Sequence, residues 1–297
     1  MEMEGDGGGW MDVALVTCAA MPGLYPDDRH LLHALRAAGL SAEPAVWEDP
    51  HYQWPAVRLA VIRSAWDYSF RRDQFVAWAE RAAAATELWN SARLVQWNTH
   101  KSYLCDLADR GVSVVPTIVL RAGARVTLEE LLTRQNWDDA ILKAAVAQSG
   151  RYARFVPRDR RPAGQAHLDR LLPHEDMLVQ PYIPSVATVG ELSLVFVDGE
   201  CTHAVRKRAA PGDFRVHDDY GGTVELEHPG EAHLATARAA LDAVGEPARY
   251  ARVDLVEGPA RQPMIMEFEL VEPELFFRNS AAAVERFVAS IVRKLTS

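Results

Sequence analysis

The chain has 297 residues, 48% hydrophobic and 25% charged, which is the composition of an ordinary globular protein long enough for two or three packed units. Acidic residues number 41 against 32 basic, a net charge of -9, which argues against a nucleic-acid backbone as partner but not against a nucleotide whose charge is met locally. Cys18, Cys105 and Cys201 are scattered and form no paired motif, residues 1–10 lack the apolar core of a signal peptide, and no run is long enough for a membrane span, so a cytoplasmic protein without a membrane partner is expected.

Val13–Thr17 is a short apolar run that reads as a buried parallel strand, followed by a loop through Gly23. Asp27 and Asp28 are expected to cap a helix over 28–38, with Leu31, Leu32, Leu35 and Ala38 on one face and Gly39 stopping it. Strands follow over 42–47 and 59–63, then a helix over 75–85 and a short run at 88–90. This β-α-β-α alternation predicts a small parallel sheet, whose ligands bind at the carboxyl ends of the strands. The loop after Ile62 carries Arg63, Ser64, Trp66 and Asp67. Arg63 could hold a carboxylate by two hydrogen bonds, Ser64 and Asp67 could orient an amine, and Trp66 could wall a pocket. The alternative is that the aromatic residues pack the domain and Arg63 pairs with Asp67.

Further along, Lys101 precedes a helix through Leu104 and Leu107, and Thr127 is expected to cap another. Lys143 ends the apolar strand 140–143, before a loop of small residues with Gln148, Ser149, Gly150 and Arg151. A lysine so placed, beside the N–H groups of a Gly-containing loop, suits a phosphate, although many such lysines are only exposed. Residues 177–183 read as a strand turning into a linker. Residues 190–199 form an alternating strand closed by an Asp-Gly turn, and 200–207 return from it. Lys207 and Arg215 flank a loop beside the acidic stretch that follows, and an anion between them would explain the cluster; an exposed basic hairpin is the alternative. A helix is expected over 230–244 and a last one over 281–295.

Tyr250–Asp254 and Met264–Glu269 each read as strands, with Gly258 and Pro263 breaking the chain between them. Glu267 and Glu269 are two apart, so they share a face, and a hairpin would bring Asp254 to them. Arg252 shares the face of Asp254. Three carboxylates together repel unless a cation sits among them, and Mg²⁺ carrying nucleotide phosphates fits best; a solvated acidic edge is the alternative.

Arg252-Val-Asp254 followed by Glu267-Phe-Glu269 resembles the metal-binding end of the ATP-grasp superfamily, where an R-x-D strand precedes E-x-N. Here Glu269 replaces the Asn, which leaves one or two Mg²⁺ ions open. Lys101, at an N-x-x-K helix start, and Lys143 match the superfamily's two triphosphate lysines. The resemblance runs over about 90–280 and implies an α/β chain: a parallel-sheet domain over 1–97, a central lobe over 98–181 and a C-terminal lobe over 182–297. It implies ATP bound with Gln180, Tyr182 and Ile183 at the adenine and Glu191 at the ribose. Lys101, Lys143, Ser149 and Gly150 would lie at the phosphates, and Asp254, Glu267 and Glu269 on the metal. Lys207 and Arg215 would meet the transferring phosphate and acyl group, and Arg252 an oxyanion. The substrate side would include Arg63, Ser64, Trp66, Asp67 and Glu274.

The superfamily activates a carboxylate as an acyl phosphate that a nitrogen then displaces. Arg63 to Tyr68, Gly190 to Ser193, His203 to Arg208, Gly212 to Arg215 and Glu272 to Phe276 resemble an actinobacterial branch that contains an enzyme closing O-ureido-D-serine to D-cycloserine. An amino-acid-like small molecule is therefore the expected partner, and a homodimer is compatible with this reading. An intermolecular amino-acid ligase and a non-catalytic ATP-binding regulator are the alternatives.

Overall fold

The computed structural model describes residues 10–148, 150–210, 215–216 and 221–297. The chain begins β1 (Met11–Thr17), α1 (Arg29–Ala37), β2 (Ala42–Val46), β3 (Val57–Ser64), α2 (Arg72–Ala85) and β4 (Glu87–Trp89). It continues α3 (Ala92–Asn98), α4 (Tyr103–Asp109), β5 (Ile118–Leu120), α5 (Leu128–Gln135), β6 (Ala140–Ala144), β7 (Arg154–Val156), α6 (Arg161–Leu171), β8 (Met177–Pro181) and α7 (Ser185–Thr188). It ends β9 (Glu191–Val197), β10 (Glu200–Arg208), β11 (Thr223–Leu226), α8 (Glu231–Ala243), β12 (Tyr250–Glu257), β13 (Pro263–Glu269) and α9 (Ala281–Thr296). Two compact units result: residues 10–95 with Glu274–Ser297, and Gln96–Pro273. The last segment, which the sequence reading attached to a C-terminal lobe, thus belongs to the first unit.

The first unit holds a parallel sheet in the order β2-β1-β3-β4. Val13–Val16 on β1 and Leu59–Ile62 on β3 are wholly buried, as continuous apolar runs must be when both faces of a sheet are covered. Helix α1 buries Leu31, Leu32 and Leu35, and α9 packs against it, burying Ala283, Val284, Phe287 and Ile291 at helical spacing. Gly39, at φ +85, ends α1 as expected. Asp28 does not cap it: no side-chain cap bond forms, and the carboxylate turns to Arg63 instead. Thr127 likewise makes no side-chain cap at α5.

The second unit holds two antiparallel sheets. Four strands run in the order β5-β8-β6-β7, over a core that includes Leu128, Leu132, Leu142, Val156, Leu168 and Val179. Five run in the order β11-β10-β9-β12-β13. The expected hairpin is β12–β13, with Asp254 opposite Glu267 and Arg252 opposite Glu269. The segment before β5 fastens itself along the outer side of β13. Val115 N donates to Ile265 O and Ile265 N to Ser113 O, both at 2.9 Å, and Ser113 Oγ donates to Pro263 O at 3.0 Å.

Candidate active site

The chemistry gathers on one face of the five-stranded sheet. Directly opposed residues in an antiparallel pair share a face, as do residues two apart on a strand. Lys207 stands opposite Glu191, Ser193 opposite Asp254, and Asp254 opposite Glu267. Register alone therefore places Glu191, Lys207, Arg252, Asp254, Glu267 and Glu269 on a common surface.

Asp254 is the hub and is wholly buried. Arg252 Nε donates to its Oδ1 at 3.0 Å, Arg252 Nη2 to its Oδ2 at 3.1 Å, and Lys207 Nζ to Oδ2 at 2.8 Å. Arg252 Nη2 also donates to Glu269 Oε1 at 2.7 Å, so one guanidinium bridges two of the predicted metal carboxylates. Lys207 Nζ lies 3.2 Å from Glu191 Oε2. Lys101 pairs with Glu267. Lys143 lies on β6, with Nζ 3.4 Å from Met266 Sδ.

These contacts set the protonation of the face. Burial would raise the Asp254 carboxyl, but Arg252 and Lys207 hold it well below the usual carboxylate range. Burial opposes ionised Glu267 too, yet Lys101 and Lys143 bring it down to about 2. Glu269 goes the other way, raised to about 7, because burial and the charges of Glu267 and Asp254 outweigh Arg252. Burial disfavours the Lys101, Lys207 and Arg252 cations, but neighbouring carboxylates more than offset it and raise all three. For Lys143 burial wins over Glu267 and Glu191, and its pKa is lowered.

The face fits a hard divalent cation. Asp254, Glu267 and Glu269 each offer one oxygen, all within 4.8 Å of one another, and oxygen donors of this charge suit Mg²⁺. The reluctance of Glu269 to ionise marks a surplus of negative charge that a dication would relieve. Nearby features fit a nucleotide base. Gln180 Nε2 donates to Thr117 Oγ1 at 2.9 Å, leaving Gln180 Oε1 buried with no hydrogen-bond partner among the described residues, an acceptor that an amino group would satisfy. Ile183 lies in an apolar cluster with Val115, Met264 and Met266. Tyr182, by contrast, already donates its N–H to Asp139 O at 3.0 Å, and its ring packs on Phe155.

Gly150 adopts φ +67, and a Cβ there would stand 3.6 Å from Arg215 Cδ, so the predicted phosphate loop and Arg215 are neighbours. Gln148 of that loop hydrogen-bonds Glu272. Ser149 lies outside the described residues, as do 211–214 and 217–220 of the basic and Gly-rich loops.

Gly190, just before Glu191, adopts φ +89, and a Cβ there would meet Lys207 O at 2.2 Å. Gly190→Ala is therefore expected to force β9 from β10 at the Glu191–Lys207 pair and to destabilise by about 1–3 kcal/mol. An unchanged urea midpoint would show that the strands absorb the methyl group.

The substrate-side candidates lie in the first unit, already engaged there. Arg63 is wholly buried, with Nε donating to Asp28 Oδ1 at 2.9 Å, and Ser64 Oγ donates to Asp28 Oδ2 at 2.6 Å. The carboxylate that Arg63 holds is thus a residue of the chain itself. Trp66 packs on Tyr25 at 4.8 Å. Asp67 accepts from Trp47 Nε1 at 3.0 Å and pairs with Arg71, not Arg63. Glu274 pairs with Arg278, and Asp27 accepts from the N–H groups of Phe277 and Arg278 at 2.7 and 2.8 Å.

Asn98 was overlooked as more than a motif letter. Its Nδ2 donates to Phe268 O at 2.8 Å and its Oδ1 accepts from Leu270 N at 2.7 Å, gripping the peptides on both sides of Glu269. Tyr103 OH accepts from Phe268 N at 3.1 Å. The Asn of N-x-x-K thus ties the Lys101 loop to the E-x-E strand, and the pairing of Lys101 with Glu267 follows. The sequence signal was the spacing of Asn98 and Lys101, without a hint of what the amide would touch.

The fold and this face together define an ATP-grasp ligase fold. The solved ATP-grasp ligase PsnB, in complex with a precursor peptide and AMPPNP, matches with a TM-score of 0.66 at 15% identity, over 97% of this chain and 99% of that one. The crystal structure of D-cycloserine synthetase DcsG matches with a TM-score of 0.87 at 33% identity, over 95% of this chain and 99% of that one. A family model described as the N-terminal domain of D-cycloserine synthetase DcsG matches residues 13–90. The cycloserine biosynthesis protein DcsG of Streptomyces lavendulae is 34% identical over 298 residues, 95% of this chain and 98% of that protein. The chain belongs to the DcsG family of ATP-grasp ligases.

Proposed function

We propose that the chain is an ATP- and Mg²⁺-dependent cyclo-ligase that closes O-ureido-D-serine to D-cycloserine. The observation that carries the ligase reading is the register of β9, β10, β12 and β13, which sets Glu191, Lys207, Arg252, Asp254, Glu267 and Glu269 on one face with Lys101 at Glu267. The substrate is suggested by the likeness to DcsG along nearly the whole chain.

In this reading the second unit holds the nucleotide between its two sheets, with the lobes meeting near residues 181 and 182. Gln180 and Ile183 receive the adenine, Glu191 the ribose, and Lys101, Lys143 and Gly150 the phosphates. Asp254, Glu267 and Glu269 hold Mg²⁺, which supplies charge neutralisation for phosphoryl transfer when bound. A carboxylate oxygen of the substrate attacks the terminal phosphorus, ADP leaves, and an acyl phosphate forms. A nitrogen of the same molecule attacks the acyl carbon, phosphate leaves with the bonding electrons, and the nitrogen loses a proton. Lys207 and Arg215 attend the transferring phosphate, and Arg252 the developing oxyanion. The Arg63 carboxylate contact is spent on Asp28, so Arg63, Ser64, Trp66, Asp67 and Glu274 serve by shaping the first unit.

Phosphate release from ATP with Mg²⁺ tests this, across D- and L-amino acids supplied singly and in pairs, O-ureido-D-serine among them. Release with O-ureido-D-serine alone, yielding a cyclic product by mass, is expected. Release only with pairs would replace the cyclase by an intermolecular ligase. Glu267→Gln is expected to raise the Mg²⁺ concentration for half-maximal turnover by more than about tenfold, because a neutral amide binds a hard cation weakly. An unchanged Mg²⁺ dependence would remove Glu267 from the metal.

A further inference from the structure

The first unit contains a pocket of about 620 Å³ that the ligase chemistry does not use. Its size suits a small organic molecule. It opens beside the carboxyl end of β2, where Trp47 follows the strand and hydrogen-bonds Thr17 O at 2.9 Å. Ligands of parallel sheets gather at such ends.

The walls are aromatic. Tyr52 and Trp54 lie 4.6 Å apart between ring centroids, and Trp54 meets Trp78 edge-on at 5.2 Å. Carboxylates stand at the rim: Glu48, Asp49 and Asp73. One wall already shows the recognition such a setting performs. The Arg71 guanidinium lies 4.9 Å from the centroid of the Trp47 ring, held by Glu48 Oε1 at 2.6 Å and by Asp67. Glu48 is fixed in turn by Ala19 N, which donates to its other oxygen at 2.8 Å. A cation over an indole face with carboxylates at its edge is a favourable arrangement.

With Arg71 neutralised by two carboxylates, Asp49 and Asp73 remain among the residues that line the pocket together with Tyr52, Trp54 and Trp78. Asp73 is almost wholly exposed and pairs with Arg72 at 3.7 Å. Arg81 also lines the pocket, but eight residues along α2 from Asp73, roughly 12 Å away. We propose that this pocket binds a small organic cation, of the guanidinium or ammonium class, between its aromatic walls and the Asp49–Asp73 rim.

The test uses the full chain and the fluorescence of Trp47, Trp54 and Trp78, with agmatine as the cationic probe and adipate as an anion of similar length. Agmatine is expected to give a saturable change and adipate none. Trp54→Ala should weaken agmatine by at least about tenfold, the scale of one cation–aromatic contact. Asp49→Asn should weaken it several-fold while leaving an oxygen for His51 N, which donates to Asp49 Oδ1 at 2.9 Å, so this variant stays informative if Trp54→Ala fails to fold. Lys143→Met, altered only in the second unit, should bind agmatine as the parent does. A response to agmatine that does not saturate, that adipate matches, or that survives Asp49→Asn unchanged would overturn the proposal. Since the readout is binding without ATP, failure of the cyclase reading leaves it standing.

Discussion

Asp254→Ala is expected to lower the unfolding free energy by about 3–5 kcal/mol, the loss typical when one partner of a buried ion pair is removed. Arg252 and Lys207 both spend hydrogen bonds on this carboxylate, and neither side chain is more than 8% exposed. Without Asp254 the two cations face each other, and Glu269 and Glu191 must balance both. The sign of the pH dependence follows from the direction of the shifts. Asp254 is depressed from 3.8 and Glu267 from 4.5 to about 2. Each contributes stability that is complete above its unfolded value and is lost as pH falls through its folded value. Glu269 runs oppositely: raised from 4.5 to about 7, it favours the folded state at low pH and loses that contribution as pH rises through 7. Urea denaturation at pH 6 and pH 3 should therefore show a large parent–variant difference at the higher pH and a smaller one at the lower. A difference below about 1 kcal/mol at pH 6 would mean that the cations find water or other partners, as exposed pairs do.

Lys143→Met is expected to reduce ATP turnover by at least about a hundredfold, the scale of one electrostatic contact to a transition state. It should do so without lowering the melting temperature. Burial holds the folded pKa of Lys143 below 10.5 despite Glu267 and Glu191. A base with a depressed folded pKa opposes folding below that pKa and ceases to do so as pH rises toward its unfolded value. Methionine fills similar volume beside Met266 and carries no charge to desolvate. The variant should accordingly match or exceed the parent at pH 7, with the margin shrinking toward pH 10. Full turnover would take Lys143 out of the site, and a collapsed melting temperature would make it a structural residue.

The hairpin of β12 and β13 was legible because period-2 spacing fixes which side chains share a face, whatever the rest of the chain does. The strand that carries Lys143 was legible as an apolar run before small residues, and it extends one residue beyond the expected 140–143, to Ala144. Strand β7 and helix α6 were not anticipated. β7 has three residues, of which only Val156 is buried, and α6 opens Arg-Pro with Gly164 inside it, a poor helical signal. The engagement of Arg63 was hidden as well. Asp28 lies 35 residues away and looked like a helix cap, and no local pattern announces that a carboxylate will turn across the sheet to a guanidinium. That the Tyr182 N–H would continue the β6–β8 pairing through Asp139 was not foreseen either.

β13 is the outermost strand of its sheet, a position that usually leaves a row of N–H and C=O groups open to any extended segment. Here most of the row is occupied. Ser113, Val115, Tyr103 and Asn98 between them occupy polar groups of Pro263, Ile265, Phe268 and Leu270. A peptide has no template on which to add itself as a further strand beside Glu267 and Glu269, and neither has another copy of the chain. The strand bearing two of the carboxylates is thereby guarded against fibrillar self-association, and what reaches those carboxylates must come over the face of the sheet.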